Sequence, residues 1–325
     1  MNTLQLEDQW ETIEIIEGKG LSYVRIDGEC IPDLCLAVNS FNHRCLMLRL
    51  PPDYITTFSG EDKENIKTSF SKKGNYILLE LLDSYYNSLF NDLIISLYFK
   101  IKNISNSSES TNMFISTINK WASFLENSKS SKLSKDIIKG LFGELIVLKA
   151  YLSKTNTDDV NDILKSWTGP YDANTDFVFE NLNVEVKSKN TNSSVVKISS
   201  EFQLDDEAGK SLNLAVVSLD ADHKSKGTIR LLHNEIRDLI LELNGDLSIL
   251  ADALAQKNLF PSNLKDYDNY TFQPVCLEVY DCDAVKEEKR FPRVKKSELP
   301  EELKKVRYDM NLSSLNEFII EKTDF

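Results

Sequence analysis

The rhythm of apolar and polar positions changes about one third of the way along the chain. Before that point, "LSYVRIDG" (21–28), "RCLMLRLPP" (44–52) and "NYILLELLDS" (75–84) set apolar and β-branched residues between turn signals, which predicts strands. "LFNDLIISLYFKIKN" (89–103) is apolar on most sides and long enough for a buried helix. After the polar break "NISNSSEST" (103–111), Met113, Phe114, Ile118, Trp121 and Leu125 recur close to helical spacing. The Ser- and Lys-rich break "NSKSSKLS" (127–134) predicts a boundary. It separates a β-rich N-terminal region with helices (1–128) from a second region (129–325).

The second region opens with "SKDIIKGLFGELIVLKAYLSK" (134–154), a helix apolar nearly all round and therefore buried. Ser134 is placed to cap it and Asp136 suits its first turn. Ile137, Leu141, Leu148 and Leu152 mark one stripe, and Glu144 stands on the face meant for burial. A buried carboxylate there requires a cation or strong donors. Gly140 and Gly143 lower helix propensity, so their expected role is to let another element come close. Gly169-Pro170 marks a turn in "DILKSWTGPYDANTD" (162–176), and Trp167 reads as a core anchor. Two short strands around a polar turn follow in "TDFVFENLNVEVKSK" (175–189), then a third strand "SSVVKISS" (193–200). A short turn or helix, "EFQLDDEAGKS" (201–211), precedes the continuous apolar run "LNLAVVSLD" (212–220), expected as a buried central strand. "IRLLHNEIRDLILEL" (229–243) and "DLSILADALAQ" (246–256) read as helices and "YTFQPVCLEVYDC" (270–282) as a strand. The pattern predicts an α/β core with a mixed sheet: an antiparallel meander closed by a non-local strand.

The hairpin concentrates the chemistry. Side chains alternate across a strand, so Glu185 and Lys187 share one face while Val184 and Val186 share the other. With a two-residue loop at Asn181-Leu182, Val178 opposes Glu185 and Asp176 opposes Lys187, which gathers Asp176, Glu185 and Lys187 on one side. A three-residue loop would turn Asp176 away. Two converging carboxylates make a hard-oxygen site suited to Mg²⁺, which keeps several waters and uses one or two protein carboxylates. The backbone carbonyl of Val186 is the natural third ligand, and Glu144 can add a fourth if its helix crosses the sheet. Lys187 cannot ligate; it can orient or deprotonate a water or stabilise charge on phosphate. These parts suit phosphodiester hydrolysis.

Composition narrows this further. The 325 residues suffice for two domains, and no apolar run approaches the length of a membrane span. The N-terminus is acidic and does not read as a signal peptide. Five scattered cysteines without a C-x-x-C pair argue for reduced thiols in a cytoplasm. His43, His223 and His233 form no zinc motif; the last two are expected in loops or at the surface. The net charge of −13 and pI near 4.9 count against a free-standing, high-affinity nucleic-acid binder, though not against a nuclease subunit whose partners hold the DNA. "KEEKRFPRVKKSELPEELKKVR" (286–307) nonetheless gathers nine Lys and Arg residues. It reads either as a solvated surface with interleaved acids or as a phosphate-tracking patch.

Asp176, eight intervening residues and then Glu185-Val186-Lys187 resemble the PD-(D/E)XK nuclease motif, with Thr175 where the motif's name has proline. More narrowly, "GLFGELIVL", "WTGP", "VEVKSK", "ISSEFQL", "FPR" and "VRYDMNLSSL" are similar to a bacterial group described as PD-(D/E)XK motif proteins, over most of the chain. The resemblance implies a restriction-endonuclease-like αβββαβ core, flanked by the β-rich N-terminal region and C-terminal additions. It implies a Mg²⁺-dependent endonuclease hydrolysing DNA, with Mn²⁺ as a substitute, in a restriction or phage-defence system. Asp176, Glu185 and Lys187 would be the core triad, Glu144 the helix acid and Gln203 an auxiliary polar residue. The metal would sit on Asp176, Glu185, the Val186 carbonyl and Glu144. Partners would be DNA and a methyltransferase, helicase or ATPase of the same operon, in the cytoplasm. Alternatives stay open: Glu144 paired with a core Lys or Arg, Gln203 as a cap or surface amide, and the whole chain as an inactive subunit or an acidic interaction protein.

Overall fold

The computed structural model describes residues 3–15, 20–52, 54, 58–126, 132–220, 227–286 and 288–325. The chain divides into two compact units, Met1–Ser130 with Asp246–Ser262, and Ser131–Gly245 with Asn263–Phe325. The expected boundary at 128/129 falls outside the described residues.

The first unit holds α1 (Thr3–Glu11), β1 (Leu21–Arg25), β2 (Asp33–Asn39), β3 (Arg44–Arg49), β4 (Ile66–Ser71), β5 (Tyr76–Leu81), α2 (Asn87–Ile101) and α3 (Ser107–Glu126). Its strands form an antiparallel sheet in the order β1-β2-β3-β5-β4. Leu93, Ile94 and Leu97 of α2 are fully buried, as a helix apolar on most sides requires. The polar break at 103–111 is shorter than the pattern suggested. Asn106 Oδ1 accepts from the backbone N–H groups of Ser108 and Glu109, so α3 starts inside the break on an Asn cap.

The second unit runs α4 (Lys135–Leu152), α5 (Val160–Ser166), β6 (Phe177–Val178), β7 (Leu182–Asn190), β8 (Val195–Ile198), β9 (Ser211–Asp220) and α6 (Ile229–Glu242). The next helix, α7 (Leu247–Gln256), belongs to the first unit. The second unit resumes with β10 (Gln273–Asp281), β11 (Val285–Lys286), β12 (Lys289–Arg290), β13 (Tyr308–Asn311) and β14 (Ile319–Asp324). Its main sheet has the order β14-β10-β9-β7-β6, with β7 and β9 parallel and the other pairs antiparallel. The class is mixed α/β, and α4, β6, β7, β8, β9, α6 and β10 follow one another in the expected succession. One detail differs: β8 does not continue the meander. It pairs with β13, more than a hundred residues on, because Val196 and Ile198 are needed in the cluster with Leu212, Leu214, Val216 and Met310. A strand of four residues with one apolar face goes where that face is covered.

The helix α4 is capped by Ser134, whose Oγ accepts from Ile137 N–H. A Cβ at Gly143 would fall 2.0 Å from Ser188 Oγ, so this glycine lets α4 lie directly on β7. Gly140 faces open space, so the close approach expected of both glycines belongs to Gly143 alone. Ile137, assigned to the apolar stripe, is half exposed. Among the described residues no helix is long and apolar enough to cross a membrane.

His233 is buried on α6, contrary to the expected loop or surface, while His223 lies outside the described residues. Its spacing with Ile229, Ile236 and Ile240 places it on the helix's inner face. Burial pushes the imidazole down to about 4, and the charge of Arg237 adds to this. The folded state therefore holds His233 neutral, whereas the unfolded chain takes up a proton near pH 6.5. Stability is lost as pH falls from 6.5 towards 4, by on the order of 3 kcal/mol. Urea denaturation at stepped pH checks this: His233→Leu should lose less stability over that window, and parallel curves would refute it.

Candidate active site

The sheet edge at β6 and β7 brings the acidic residues together. Phe177 pairs with Val184 and Val178 with Asn183, and Phe179 N–H donates to the Leu182 carbonyl at 2.8 Å. The tight turn is therefore Glu180-Asn181, one residue earlier than expected. Continued, this register sets Asp176 across from Glu185 instead of Lys187. The slip moves pairing by two residues along β7, one full pleat repeat, so the shared face survives.

Asp176 is fixed from both sides. Its backbone carbonyl accepts from Thr168 and Gly169 N–H at 2.8 and 3.0 Å, and Trp167 bridges Phe177. Its Oδ2 accepts from Val186 N–H at 2.7 Å. The carboxylate thus takes a ladder position beyond the end of β6.

Glu144 reaches the same place from α4. Its Oε2 accepts from the Trp167 indole Nε1 at 2.8 Å, which supplies the strong donor that an acid on a buried helix face requires. Trp167 is 1% exposed, a core anchor as expected, but its polar edge was not legible as a partner for Glu144. Gly169 marks the convergence. A Cβ there would lie 2.5 Å from Glu144 Oε2 and 2.8 Å from Asp176 Oδ1, so both carboxylates crowd one point beside a residue without a side chain.

Glu185 is the most buried of the three, at 1% exposure. Its Oε1 accepts from Lys187 Nζ at 2.5 Å, while its Oε2 is buried without a hydrogen-bond partner. Burial raises its pKa well above the ordinary carboxylate range; Asp176 and Glu144 push it further and Lys187 opposes them. Lys187 Nζ also donates to Gln203 Oε1 at 3.1 Å, and that oxygen accepts from Ser199 N–H at 2.7 Å. Gln203 is thus neither a helix cap nor a loose surface amide; it ties the end of β8 to Lys187. All five candidate side chains, Glu144, Asp176, Glu185, Lys187 and Gln203, fall in one neighbourhood.

Among the described residues no set of three or more His, Cys, Asp or Glu side chains stands ready as a metal cage. The donor chemistry nevertheless fits a small divalent cation. Glu185 has a buried oxygen without a partner, its negative neighbours penalise its ionisation, and Mg²⁺ needs few protein ligands. Val186 contributes to the same edge: the N–H and carbonyl of a residue in an extended strand leave on one side, here the side of Asp176.

An acid-lined sheet edge with one lysine, on a mixed sheet backed by a buried helix, defines a nuclease-like class of α/β protein. The chain belongs to the family described as "Putative PD-(D/E)XK family member, (DUF4420)", whose model matches residues 6–313. That membership points to nuclease chemistry, which uses a divalent metal on a nucleic-acid substrate. No curated protein and no solved structure matches the chain.

Gly169→Ala tests the crowding. The atoms it meets are carboxylates held by the Trp167 indole and Val186 N–H, so one of those hydrogen bonds should give way while the fold persists, at a cost of about 1–2 kcal/mol. Calorimetric titration should show Mn²⁺ binding weakened about tenfold or more, a loss of at least ~1.4 kcal/mol. Unaltered binding would show that Glu144 and Asp176 need not share that space.

Proposed function

We propose that this protein is a Mg²⁺-dependent endonuclease that hydrolyses DNA phosphodiester bonds, with Mn²⁺ able to substitute. The observation that carries the reading is the orphaned Oε2 of Glu185, buried within the field of Asp176 and Glu144. A buried acid that one ammonium offsets only in part remains costly and persists where a further cation repays it. Asp176, Glu185 and the Val186 carbonyl would hold the ion, with Glu144 beside them. When bound, such an ion polarises the phosphoryl group and lowers the pKa of a water.

The chain's own residues do the rest. An ammonium has three N–H groups. Two of those on Lys187 point to Glu185 Oε1 and Gln203 Oε1, leaving one for a non-bridging phosphate oxygen. In this arrangement Lys187 acts as a fixed positive donor, stabilising charge that builds on the phosphate. Gln203, anchored by Ser199 N–H, aims it. Trp167 holds Glu144 in place and keeps water from its buried side.

The wider setting follows from charge. A chain of net charge −13 repels DNA over most of its surface, which supports a subunit of a cytoplasmic restriction or phage-defence complex. A methyltransferase, helicase or ATPase partner would supply most of the hold on the DNA.

Plasmid nicking, with and without the products of neighbouring genes, tests the reading. Mg²⁺ or Mn²⁺ should support cutting, and Glu185→Ala or Asp176→Asn should lower the rate by about two orders of magnitude or more. Lys187→Gln should lower kcat more than it raises KM. Cutting at the wild-type rate by Glu185→Ala, with circular dichroism unchanged, would sink the proposal.

A further inference from the structure

The basic segment 286–307 splits into two halves. Arg293, its side chain 4% exposed, is consumed by Asp206 and Asp283, each at 2.6 Å, and Lys295 pairs with Asp206 at 2.6 Å. These cations hold the turn after β8 in place. The outer cations behave differently. Lys296, Lys304, Lys305 and Arg307 are exposed, and none of the four makes an ion pair with a described residue.

Their backbone is nevertheless pinned to the turn that bears Gln203. Asp205 Oδ1 accepts from Lys296 N–H at 3.0 Å. Glu201, a buried acid, accepts from Lys305 and Val306 N–H at 3.2 and 2.9 Å. Acidic side chains are thus spent on backbone N–H groups; the ammonium groups of Lys304 and Lys305 are exposed, while that of Lys296 stays close enough for its charge to favour ionised Glu201. Between these carboxylates lies Phe202, 37% exposed, with Lys296 Nζ 4.8 Å above its ring. The next residue is Gln203, in contact with Lys187. The acids of the outer half, Glu298, Glu301 and Glu302, fall in the stretch between the two anchoring points.

We infer that Phe202, Lys296 and the Lys304–Arg307 stretch form a nucleic-acid grip that leads a DNA strand past Gln203 to Lys187. This rests on the nuclease reading of that site. Exposed aromatic rings and backbone-tracking cations are the two components of single-strand recognition. A phosphate draws the Lys296 ammonium off the ring, and the freed face takes an unpaired base. The strand is thereby held next to the turn whose amide orients the catalytic lysine.

The test measures binding of the intact protein to fluorescein-labelled oligonucleotides by anisotropy, in Ca²⁺, over a range of salt. Lys304→Ala/Lys305→Ala should weaken binding and reduce the slope of log K against log salt by about 0.7 per lost contact on single strands. Phe202→Ala should weaken single-strand binding about tenfold with the salt slope unchanged. The double variant Lys72→Ala/Lys73→Ala removes two exposed lysines of the first unit and should change neither quantity. If the patch variants bind as the wild type does, or lose no more than that control, the grip is refuted. Tighter, Phe202-dependent binding to the matching oligoribonucleotide than to DNA overturns the DNA assignment. The two readings separate cleanly: binding that depends on the patch without cutting that depends on Glu185 sinks the catalytic reading alone, and the reverse sinks the grip alone.

Discussion

Everything at the sheet edge depends on the carboxylate of Glu185 and its contact with Lys187, two positions further along the same strand. Desolvating a carboxylate costs several kcal/mol, and one nearby ammonium offsets only part of that. Here the offset is further reduced by Asp176 and Glu144, which raise the cost of a second and third negative charge. Glu185 is itself 1% exposed and lies across from Leu214 of β9, so little solvent screens its carboxylate. Such an arrangement is poor for stability and good for capturing a small, hard cation.

The fold supplies that edge with few parts. A two-residue turn sets the register of β6 against β7, and Val186 N–H, left without a strand partner, takes the carboxylate of Asp176. The absence of a side chain at Gly143 lets α4 lie on β7, and the absence of one at Gly169 leaves room for the carboxylates of Glu144 and Asp176. These glycines act through the space they leave, since neither has a left-handed backbone angle. The C-terminal additions belong to the same construction: β13 captures β8, and Arg293 and Glu201 brace the turn that carries Gln203.

Much of this was legible because it follows periodic rules. The buried helix with its misplaced acid, the alternation in "VEVKSK" and the apolar run of β9 each state their face and burial locally. Parity protected the prediction at the hairpin: an error of one pleat repeat still left Asp176 on the side of Glu185. His233 was misread, although its spacing on α6 carried the signal. The unpaired edge of β8 was not legible, because a four-residue strand gives no indication of which distant segment will cover it.

The sequence by itself determined the set of chemical groups and the local elements that carry them, since strand alternation and helix period are properties of a few neighbouring residues. Only the tertiary structure decided which hydrogen-bond partners those groups meet. The Trp167 indole on Glu144, the Gln203 amide on Lys187 and the backbone N–H of Val186 on Asp176 join residues separated by 23, 16 and 10 positions. Hydrogen bonds of that kind depend on distances of a few tenths of an ångström, and those distances are set by packing across the whole unit, which no local pattern encodes.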